Sequence, residues 1–364
     1  MAFTSRYHRQ IVLPGVGHRG QQLISSASVL VAGAGALGSA VLMSLVPAGV
    51  GTLGIIDHDE VELSNLQRQP IYTTDDVGKP KVIAASERLG KMNPEVSLNP
   101  VFQRLSAANA LDIIKDYDLV IECTDQLPAK LLVNDACVML DKPCIIGGAQ
   151  TYSGQLSVYN FRGGPTYRCL VKDPPDPLTL PTCENTGVAG MVPGIIGNLQ
   201  ALEAFKIITG LGDVLSGRLL HFDGLEGCFT EFPIEPDPDN RKISRLTEYG
   251  YSCPDSLLKR HIIDPEDFLY TLENKGPFEV IAVSDDTERL SIKGHNWKTI
   301  PLYRVPQEVN RVPENKKIML VCENGNKNID ALKYLLVKEK NTRVYALRYG
   351  LSAVRFLAMD HKAT

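Results

Sequence analysis

The segment VLVAGAGALGSA, residues 29–40, restricts the fold more than any other part of the chain. It opens on an apolar run that predicts a buried strand, and Gly33, Gly35 and Gly38 follow in the pattern G-x-G-x-x-G. Glycines at this spacing allow a tight turn into a helix, whose first N–H groups and positive dipole end favour phosphate. The segment therefore predicts a strand, a phosphate-binding turn and a helix.

Strands and helices alternate through the first half of the chain. Short β-branched runs predict strands at 28–33, 52–57, 96–101, 118–123 and 142–148. Helical patterns lie between them, at 36–48, 79–91, 107–115 and 128–140. This alternation is typical of a Rossmann-like, doubly wound α/β fold with a mostly parallel sheet. Ligands bind such sheets at the carboxyl ends of the strands, so we expect the site there.

The pattern changes after residue 149. Polar and apolar residues alternate in GQLSVYNF, which predicts an antiparallel extension of the sheet. A Pro-rich loop at 171–187 and a helix at 192–210 follow. Strand–helix alternation resumes near 278, which indicates a second, small α/β domain. We assign residues 1–245 to the first domain, 246–260 to a linker and 261–364 to the second domain.

Composition excludes several classes of function. The net charge is −4, whereas nucleic-acid binding needs a basic face. No apolar run approaches the roughly 18 residues of a membrane span, and MAFTSRYHRQ lacks a signal-peptide core. Eight cysteines are scattered along the chain without a secretion signal, which favours a reducing compartment. We expect a cytoplasmic protein that binds neither nucleic acid nor membranes.

The residues around the glycine turn narrow the choice of ligand. Asp57 ends the second predicted strand, where a carboxylate can accept hydrogen bonds from both ribose hydroxyls of NAD or ATP alike. Asn65 and Arg68 lie in the polar loop ELSNLQRQP, and Lys81 follows in GKPKV. Triphosphate chemistry uses such cations to neutralise developing charge, whereas hydride transfer has little use for them.

Asp125 ends the segment DLVIECTD at the same sheet edge and is a candidate Mg²⁺ ligand. Taken singly, each of these charged residues is more often a solvated loop residue, and only their joint position favours ATP. Two alternatives stay open. An NAD-dependent oxidoreductase would use the same turn, although none of the seven histidines is well placed in the first domain. A binding scaffold without catalysis is the other.

A family resemblance rests on eight segments. RYHRQI, GAGALG, IIDHDEVELSNLQRQ, VGKPK, MNPEV, ECTD, PTYRCL and TCENTGV occur here in the order and spacing of the MoeB/ThiF adenylyltransferases, relatives of the ubiquitin-activating enzymes. The chain resembles that family from residue 5 to about residue 235. In that family ATP adenylates the C-terminal glycine of a ubiquitin-like sulfur-carrier protein ending in Gly-Gly and releases pyrophosphate. The pathways served are molybdopterin synthesis, thiamine synthesis and tRNA thiolation.

The resemblance implies ATP and Mg²⁺ as cofactors. It implies a nucleotide site formed by Gly33, Gly35, Ala36, Gly38, Asp57, Ser64, Asn65, Arg68, Lys81, Asp125 and Gln126. Within that site, Asp125 would hold Mg²⁺, and Gln126, where the family usually has Asn, would lie near the adenine. Arg68 and Lys81 would act on the phosphates. Arg9 of RYHRQI would reach into the partner subunit's site, which implies a homodimer.

Two cysteines are candidates for sulfur chemistry. Cys183 lies in the Pro-rich loop before a helix, where a thiol tends towards thiolate, and its family counterpart forms a covalent link with the carrier or relays sulfur. Cys322, in IMLVCENGNKN, resembles the active-site cysteine of a rhodanese-like domain that could take sulfur from a cysteine desulfurase. Glu323 disfavours an anionic sulfur there, and Lys327 is the one positive charge in the loop. Sulfur transfer and carrier docking therefore both stay open for this domain.

The zinc site of the family is incomplete in this sequence. The family commonly has two C-x-x-C pairs, but TYRC keeps only Cys169 and CPDS keeps only Cys253. Two thiolates rarely complete a tetrahedral zinc site, and Thr and Ser are poor substitutes. We therefore predict that no zinc is bound and that hydrogen bonds and packing replace it.

Overall fold

The computed structural model describes residues 6–172, 187–247, 255–273, 278–284, 290–292, 294–297 and 299–360. The chain divides into two compact units near residue 250. Among the helices in the described ranges, none is both long enough and apolar enough to cross a bilayer.

The first unit is built on an eight-stranded sheet in the order β3-β2-β1-β4-β5-β6-β7-β8. The strands are β1 Ser28–Ala32, β2 Thr52–Asp57, β3 Ser97–Phe102, β4 Leu119–Glu122, β5 Cys144–Gln150, β6 Ser153–Tyr159, β7 Arg218–Asp223 and β8 Cys228–Pro233. The pairs from β3 to β5 are parallel, and those from β5 to β8 are antiparallel. The predicted parallel sheet with an antiparallel extension is confirmed.

Helices cover both faces of this sheet. They are α1 His8–Ile11, α2 Gly17–Ser26, α3 Ala36–Ala48, α4 Lys81–Met92, α5 Ala110–Ile114, α6 Leu127–Met139, α7 Tyr167–Leu170 and α8 Met191–Thr209. Val29 and Val31 of β1 belong to one buried cluster, whereas Leu30 and Ala32 belong to another. Successive side chains of a strand point to opposite faces, so β1 is buried on both sides. This burial explains the uninterrupted apolar run that precedes the glycine turn.

Helix α8 packs closely against α3, the helix that follows the glycine turn. Gly197 makes the approach possible, because a Cβ atom at this position would lie 2.6 Å from the Leu37 carbonyl oxygen. Helix α8 ends at Gly210 with φ +71°, a left-handed conformation that glycine adopts readily. The contact holds α3 in place behind the turn.

The second unit has five parallel strands in the order β13-β10-β14-β15-β9 and a separate β11–β12 hairpin. The strands are β9 Ile262–Ile263, β10 Phe278–Val283, β11 Leu290–Ile292, β12 His295–Trp297, β13 Thr299–Ile300, β14 Lys317–Val321 and β15 Val344–Leu347. The helices are α9 Asp255–Arg260, α10 Pro265–Glu273, α11 Val305–Arg311, α12 Asn326–Val337 and α13 Gly350–Asp360.

One boundary of the sequence analysis needs correction. Helix α9 lies within residues 246–260, which we expected to form a linker. Leu257 and Leu258 on this helix pack against the apolar cluster of the second unit. Local composition could not reveal this contact, because the residues that α9 covers come much later in the chain.

Substitution of Gly197 by Val is expected to lower the free energy of unfolding by about 1–3 kcal/mol, because the new side chain meets the backbone of α3. Urea denaturation measures this change. Gly194→Ala is the matched control on the same helix, since a Cβ atom there would have no neighbour within 4 Å. It should keep or raise stability, and equal stability of the two variants would contradict this account of the helix contact.

Candidate functional site

The glycine turn between β1 and α3 is tight on one side and open on the other. Gly33 has φ +100° and donates its N–H to the Ile56 carbonyl oxygen at 2.8 Å. A Cβ atom on Gly38 would lie 2.0 Å from the Gly33 carbonyl oxygen, so a side chain cannot fit there. At Gly35 the nearest atom to such a Cβ is Nε2 of Gln69, at 3.9 Å. The turn thus leaves room beside the first residues of α3, where backbone N–H groups are available to a phosphate.

Asp57 holds this turn through its carboxylate. One oxygen accepts the Ala34 N–H at 2.7 Å, and the other accepts the Asp59 N–H at 2.9 Å. The Tyr72 hydroxyl donates to the Ala34 carbonyl oxygen at 2.7 Å, and burial raises the pKa of Tyr72 well above its usual value. Tyr72 therefore remains a neutral donor. Each Asp57 oxygen keeps a further lone pair, which can accept a hydrogen bond from a ribose hydroxyl.

The loop after Asp57 is ordered by its own polar side chains. Asn65 is buried, accepts the Glu62 N–H at 3.3 Å and donates to the Ser64 hydroxyl at 3.3 Å. The Arg68 guanidinium donates to the Ser64 carbonyl oxygen at 2.9 Å. At the start of α8, a Cβ atom on Gly190 would lie 3.2 Å from the Arg68 Cα atom. This contact fixes the backbone at Arg68, a residue that is half-buried.

Lys81, the first residue of α4, is buried, and its ammonium lies 2.9 Å from a carboxylate oxygen of Asp59. Asp59 is more than half exposed. Side-chain ligand atoms of Asp57, His58 and Asp59 lie within 4.8 Å of one another. Lys81 thus lies near Asp57, because its partner Asp59 is close to both residues.

The turn after β4, which carries Asp125, touches the glycine turn. A Cβ atom on Gly33 would lie 3.1 Å from the Thr124 nitrogen, so the two turns touch through their backbones. Asp125 and Gln126 are both exposed, and Gln126 immediately precedes α6. Within the described residues, the Asp125 carboxylate has no hydrogen-bond partner. A carboxylate held in this way is free to bind a hard cation.

Arg9 lies on α1, apart from this group of residues. Its side chain is exposed, and the described residues offer it no hydrogen bond or ion pair. The helix itself is firmly held, because the Tyr7 hydroxyl donates to Glu95 at 3.0 Å and accepts from Asn93 at 2.8 Å. A Cβ atom on Gly49 would lie 2.5 Å from the Tyr7 ring, so the ring packs directly on that glycine.

Comparison with known sequences identifies the first unit. The sequence model of the ThiF family matches residues 7–243. The chain belongs to the ThiF family. It is 42% identical to the sulfur carrier protein adenylyltransferase of Thermus thermophilus, over 72% of this chain and 95% of that protein. It is 46% identical to the adenylyltransferase and sulfurtransferase MOCS3 of Xenopus laevis, over 91% of this chain and 80% of that protein.

Solved structures resemble this ThiF-family fold. The crystal structure of PaaA aligns with a TM-score of 0.55 at 25% identity, over 64% of this chain and 73% of that chain. The crystal structure of E. coli MccB aligns with a TM-score of 0.57 over 67% and 73% of the two chains. Its sequence identity is 21%, so this second likeness concerns the fold alone.

Cys322 of the second unit lies directly after β14 and is buried. The Gly325 N–H donates to its sulfur at 3.1 Å, and the sulfur lies 3.3 Å from Oδ1 of Asn328. The Asn328 amide nitrogen donates to the carbonyl oxygens of Leu320 and Leu347, at 3.1 and 2.8 Å. Because only the NH₂ group can serve those two acceptors, the amide oxygen faces the sulfur and accepts its S–H.

Glu323, next to Cys322, has a cationic partner that the sequence analysis did not predict. Glu323 is paired with the guanidinium of Arg355 on α13. The loop sequence offered only Lys327 as a positive charge, and Arg355 comes to the loop from 32 residues further along the chain. Glu323 therefore acts on the sulfur as part of an ion pair and not as a lone negative charge.

Cys169, the remaining member of a zinc-type pair, is surrounded by hydrogen-bonding groups. The Asp237 N–H lies 3.3 Å from its sulfur, and the Asn240 amide and the Thr166 hydroxyl each lie 3.6 Å away. Burial raises the pKa of the Cys169 thiol, but these hydrogen bonds outweigh burial, and the pKa falls below its usual value. Within the described residues, no group of three metal-ligating side chains includes Cys169. In the described part of the chain, the Cys169 sulfur is thus met by hydrogen-bonding groups.

Some site residues fall outside the structural account, and others were not singled out from the sequence. Cys183 and Cys253 lie outside the described residues. Gln69 was missed, although it is buried beside Gly35 and its amide oxygen has no partner among the described groups. Glu122 and Lys130 were missed as well, because a charge in an apolar run gives no sign of its partner.

Replacement of Cys169 by Ala should cost about 1 kcal/mol of unfolding free energy, because the half-buried Asp237 N–H would lose its acceptor. Urea denaturation is the measurement. Cys228→Ala is the control, since Cys228 is exposed, and it should leave stability unchanged. Equal stability of the two variants would show that hydrogen bonds to this sulfur do not support the fold.

Proposed function

We propose that this chain uses ATP to adenylate the C-terminal glycine of a ubiquitin-like sulfur-carrier protein ending in Gly-Gly, in preparation for sulfur transfer. The observation that carries the proposal is the meeting of the glycine turn and the Asp125 turn, with Asp57 and Lys81 alongside. The Thermus thermophilus relative is matched over 95% of its own length, and its name supports the same reaction. The alternative of an NAD-dependent oxidoreductase gains no support from these relatives.

Each part of ATP finds a suitable group in the site. Gly33 shapes the turn, the N–H groups of Gly35, Ala36 and Gly38 suit phosphate, and the Asp57 carboxylate suits the ribose. The remaining proposed contacts to phosphate and adenine are Ser64, Asn65, Arg68, Lys81 and Gln126. ATP fits a site in which cations and backbone donors surround an open turn.

Asp125 is the proposed ligand of Mg²⁺. It is an exposed carboxylate at the carboxyl end of β4, which is the type of oxygen ligand that Mg²⁺ prefers. When bound, the ion would neutralise phosphate charge. The acidic pair Asp57 and Asp59 is already engaged with backbone N–H groups and with Lys81.

The reaction makes a poor leaving group into a good one. A glycine carboxylate oxygen attacks the α-phosphorus of ATP, the bond to the β-phosphate oxygen breaks, and pyrophosphate leaves. The product is a mixed anhydride from which a sulfur nucleophile can expel AMP. Because the attacking carboxylate is itself an anion, Arg68 and Lys81 lower the barrier by offsetting negative charge at the phosphorus.

We infer that the active form is a homodimer in which Arg9 enters the partner subunit's site. Arg9 is exposed on a firmly held helix. Val12 and Leu13 beside it are 57% and 49% exposed, an apolar surface that a second copy could cover. A dimer would thus explain both the unpaired charge and the exposed apolar residues.

The proposed sulfur chemistry uses Cys183 and Cys322. Cys183 would form the covalent link with the activated carrier or relay sulfur to it. Cys322 would attack the terminal sulfur of a cysteine desulfurase persulfide, forming a new persulfide and releasing the donor thiol. The Gly325 N–H supports this role, as do relatives named adenylyltransferase and sulfurtransferase across both units. Without such transfer, the rhodanese-like unit would dock the carrier.

Two further expectations complete the proposal. We infer that no zinc is bound, which the hydrogen bonds around Cys169 support. We also keep the cytoplasm as the proposed location. Six cysteines lie in the described residues and all are free thiols, as in a reducing compartment.

ATP–pyrophosphate exchange with purified Gly-Gly-ending sulfur carriers tests the main proposal. The full chain should exchange label only when a carrier is present. Asp125→Ala should lower exchange by at least about 10²-fold, because the Mg²⁺ ion that offsets phosphate charge would lose its carboxylate ligand. Lys338→Ala, on the second unit, is purified in the same way as a control and should exchange normally. Normal exchange by Asp125→Ala would remove Asp125 from the mechanism.

Cys183→Ala separates adenylation from sulfur transfer. Exchange should persist, because no thiol takes part in attack on phosphorus, whereas formation of carrier thiocarboxylate should fall about tenfold or more. Mass spectrometry of the carrier measures the second step. Cys228→Ala provides the control, and unaltered thiocarboxylate formation by Cys183→Ala would exclude the relay role.

A further inference from the structure

A buried ion pair lies directly behind the turn that carries Asp125. Glu122 is the last residue of β4 and is fully buried, and Lys130 lies on the second turn of α6 with 9% of its surface exposed. The Lys130 ammonium is 2.5 Å from a carboxylate oxygen of Glu122. The pair therefore connects the strand before the turn to the helix after it.

The pair also binds the residue next to Asp125. The Glu122 carboxylate accepts the Thr124 N–H at 2.8 Å and the Thr124 hydroxyl as well. From the other side, the Lys130 ammonium donates to the Thr124 carbonyl oxygen at 2.8 Å. All three polar groups of Thr124 are thus engaged by these two side chains.

Neighbouring elements hold the pair in turn. Lys130 donates to the Gly147 carbonyl oxygen on β5 at 2.6 Å. The Gln200 amide of α8 donates to the Glu122 carbonyl oxygen at 2.8 Å. The ends of β4 and β5 and the middle of α8 therefore meet at one set of hydrogen bonds beneath the turn.

Stability alone does not explain why the chain buries the charged pair Glu122 and Lys130. Burial raises the pKa of Glu122 and opposes the charge on Lys130, yet the Glu122 carboxylate keeps the pKa of Lys130 above its usual value. Replacing a buried ion pair by apolar residues of similar size often leaves stability unchanged or higher. What apolar residues cannot supply is a set of directed hydrogen bonds to the backbone of Thr124.

We propose that Glu122 and Lys130 are positioning residues that clamp Thr124, so that Asp125 stays in place for its metal. The inference rests on the proposed role of Asp125. It adds that metal affinity depends on two side chains that touch neither metal nor nucleotide. Loss of the clamp would let the turn move and would weaken metal binding while the glycine turn kept its shape.

The smallest test changes only the Thr124 hydroxyl. Thr124→Val keeps the size of the side chain but cannot donate to Glu122, whereas Thr124→Ser keeps the donor. Binding of Mn²⁺, as a spectroscopic substitute for Mg²⁺, is followed by EPR in the presence of a non-hydrolysable ATP analogue. We expect Thr124→Val to bind Mn²⁺ about tenfold more weakly. This is the low end of the affinity loss found when groups that orient metal ligands are removed. Thr124→Ser should restore the affinity of the parent.

A double variant removes the clamp completely. Glu122→Leu/Lys130→Met replaces the pair by apolar side chains and should fold, yet bind Mn²⁺ still more weakly than Thr124→Val. Glu203→Gln is the matched control, because Glu203 is also buried, pairs with Lys206 and accepts the Leu215 N–H at 2.9 Å. It should leave the affinity for Mn²⁺ unchanged.

Binding of the ATP analogue in EDTA distinguishes positioning from general damage. The proposal requires weaker metal binding together with unchanged metal-free nucleotide binding in Thr124→Val and in the double variant. Equal loss of both, or unaltered metal binding, overturns it. If the parent protein binds Mn²⁺ and nucleotide but fails to exchange pyrophosphate with any carrier, the proposed function fails while the clamp is still tested by binding.

Discussion

The contact between two backbone turns is the constraint on which the rest of the site depends. Gly33 has no side chain, and the main chain of Cys123 and Thr124 occupies the space that a Cβ atom would need. Any other residue at Gly33 would push the Asp125 turn away from the glycine turn. A positive φ at the same residue strengthens the requirement, because other residues rarely adopt that conformation.

Charge in the site is balanced before any nucleotide binds. Lys81 pairs with Asp59, and both Asp57 oxygens receive backbone N–H groups, so neither charge is isolated. Asp125 is the exception in the described part of the chain, and it sits on a turn that a buried ion pair holds from below. Under the proposed function, the unpaired carboxylate would bind Mg²⁺ here with little reorganisation, and the ion would offset phosphate charge.

Hydrogen bonds from the surrounding fold set the environment of two cysteines, Cys169 and Cys322. Around Cys169, the Asp237 N–H and the Asn240 amide both meet the sulfur. At Cys322, the fixed Asn328 amide turns its oxygen towards the sulfur. Both environments depend on backbone or amide groups whose direction is set by the surrounding fold.

Local sequence determined the first unit's alternation, the glycine turn and the polar loop with Asn65 and Arg68. These features depend on short-range patterns: apolar runs for strands buried on both faces, and glycines where the chain must turn tightly. The β7–β8 hairpin was not predicted, since β8 is exposed along its whole length and shows no apolar alternation. Tertiary structure alone decided that Glu122 and Lys130 clamp Thr124, that Arg355 pairs with Glu323, and that Asp237 meets Cys169. These partners come from elements whose approach is fixed by packing, and no local pattern in the sequence records such an approach.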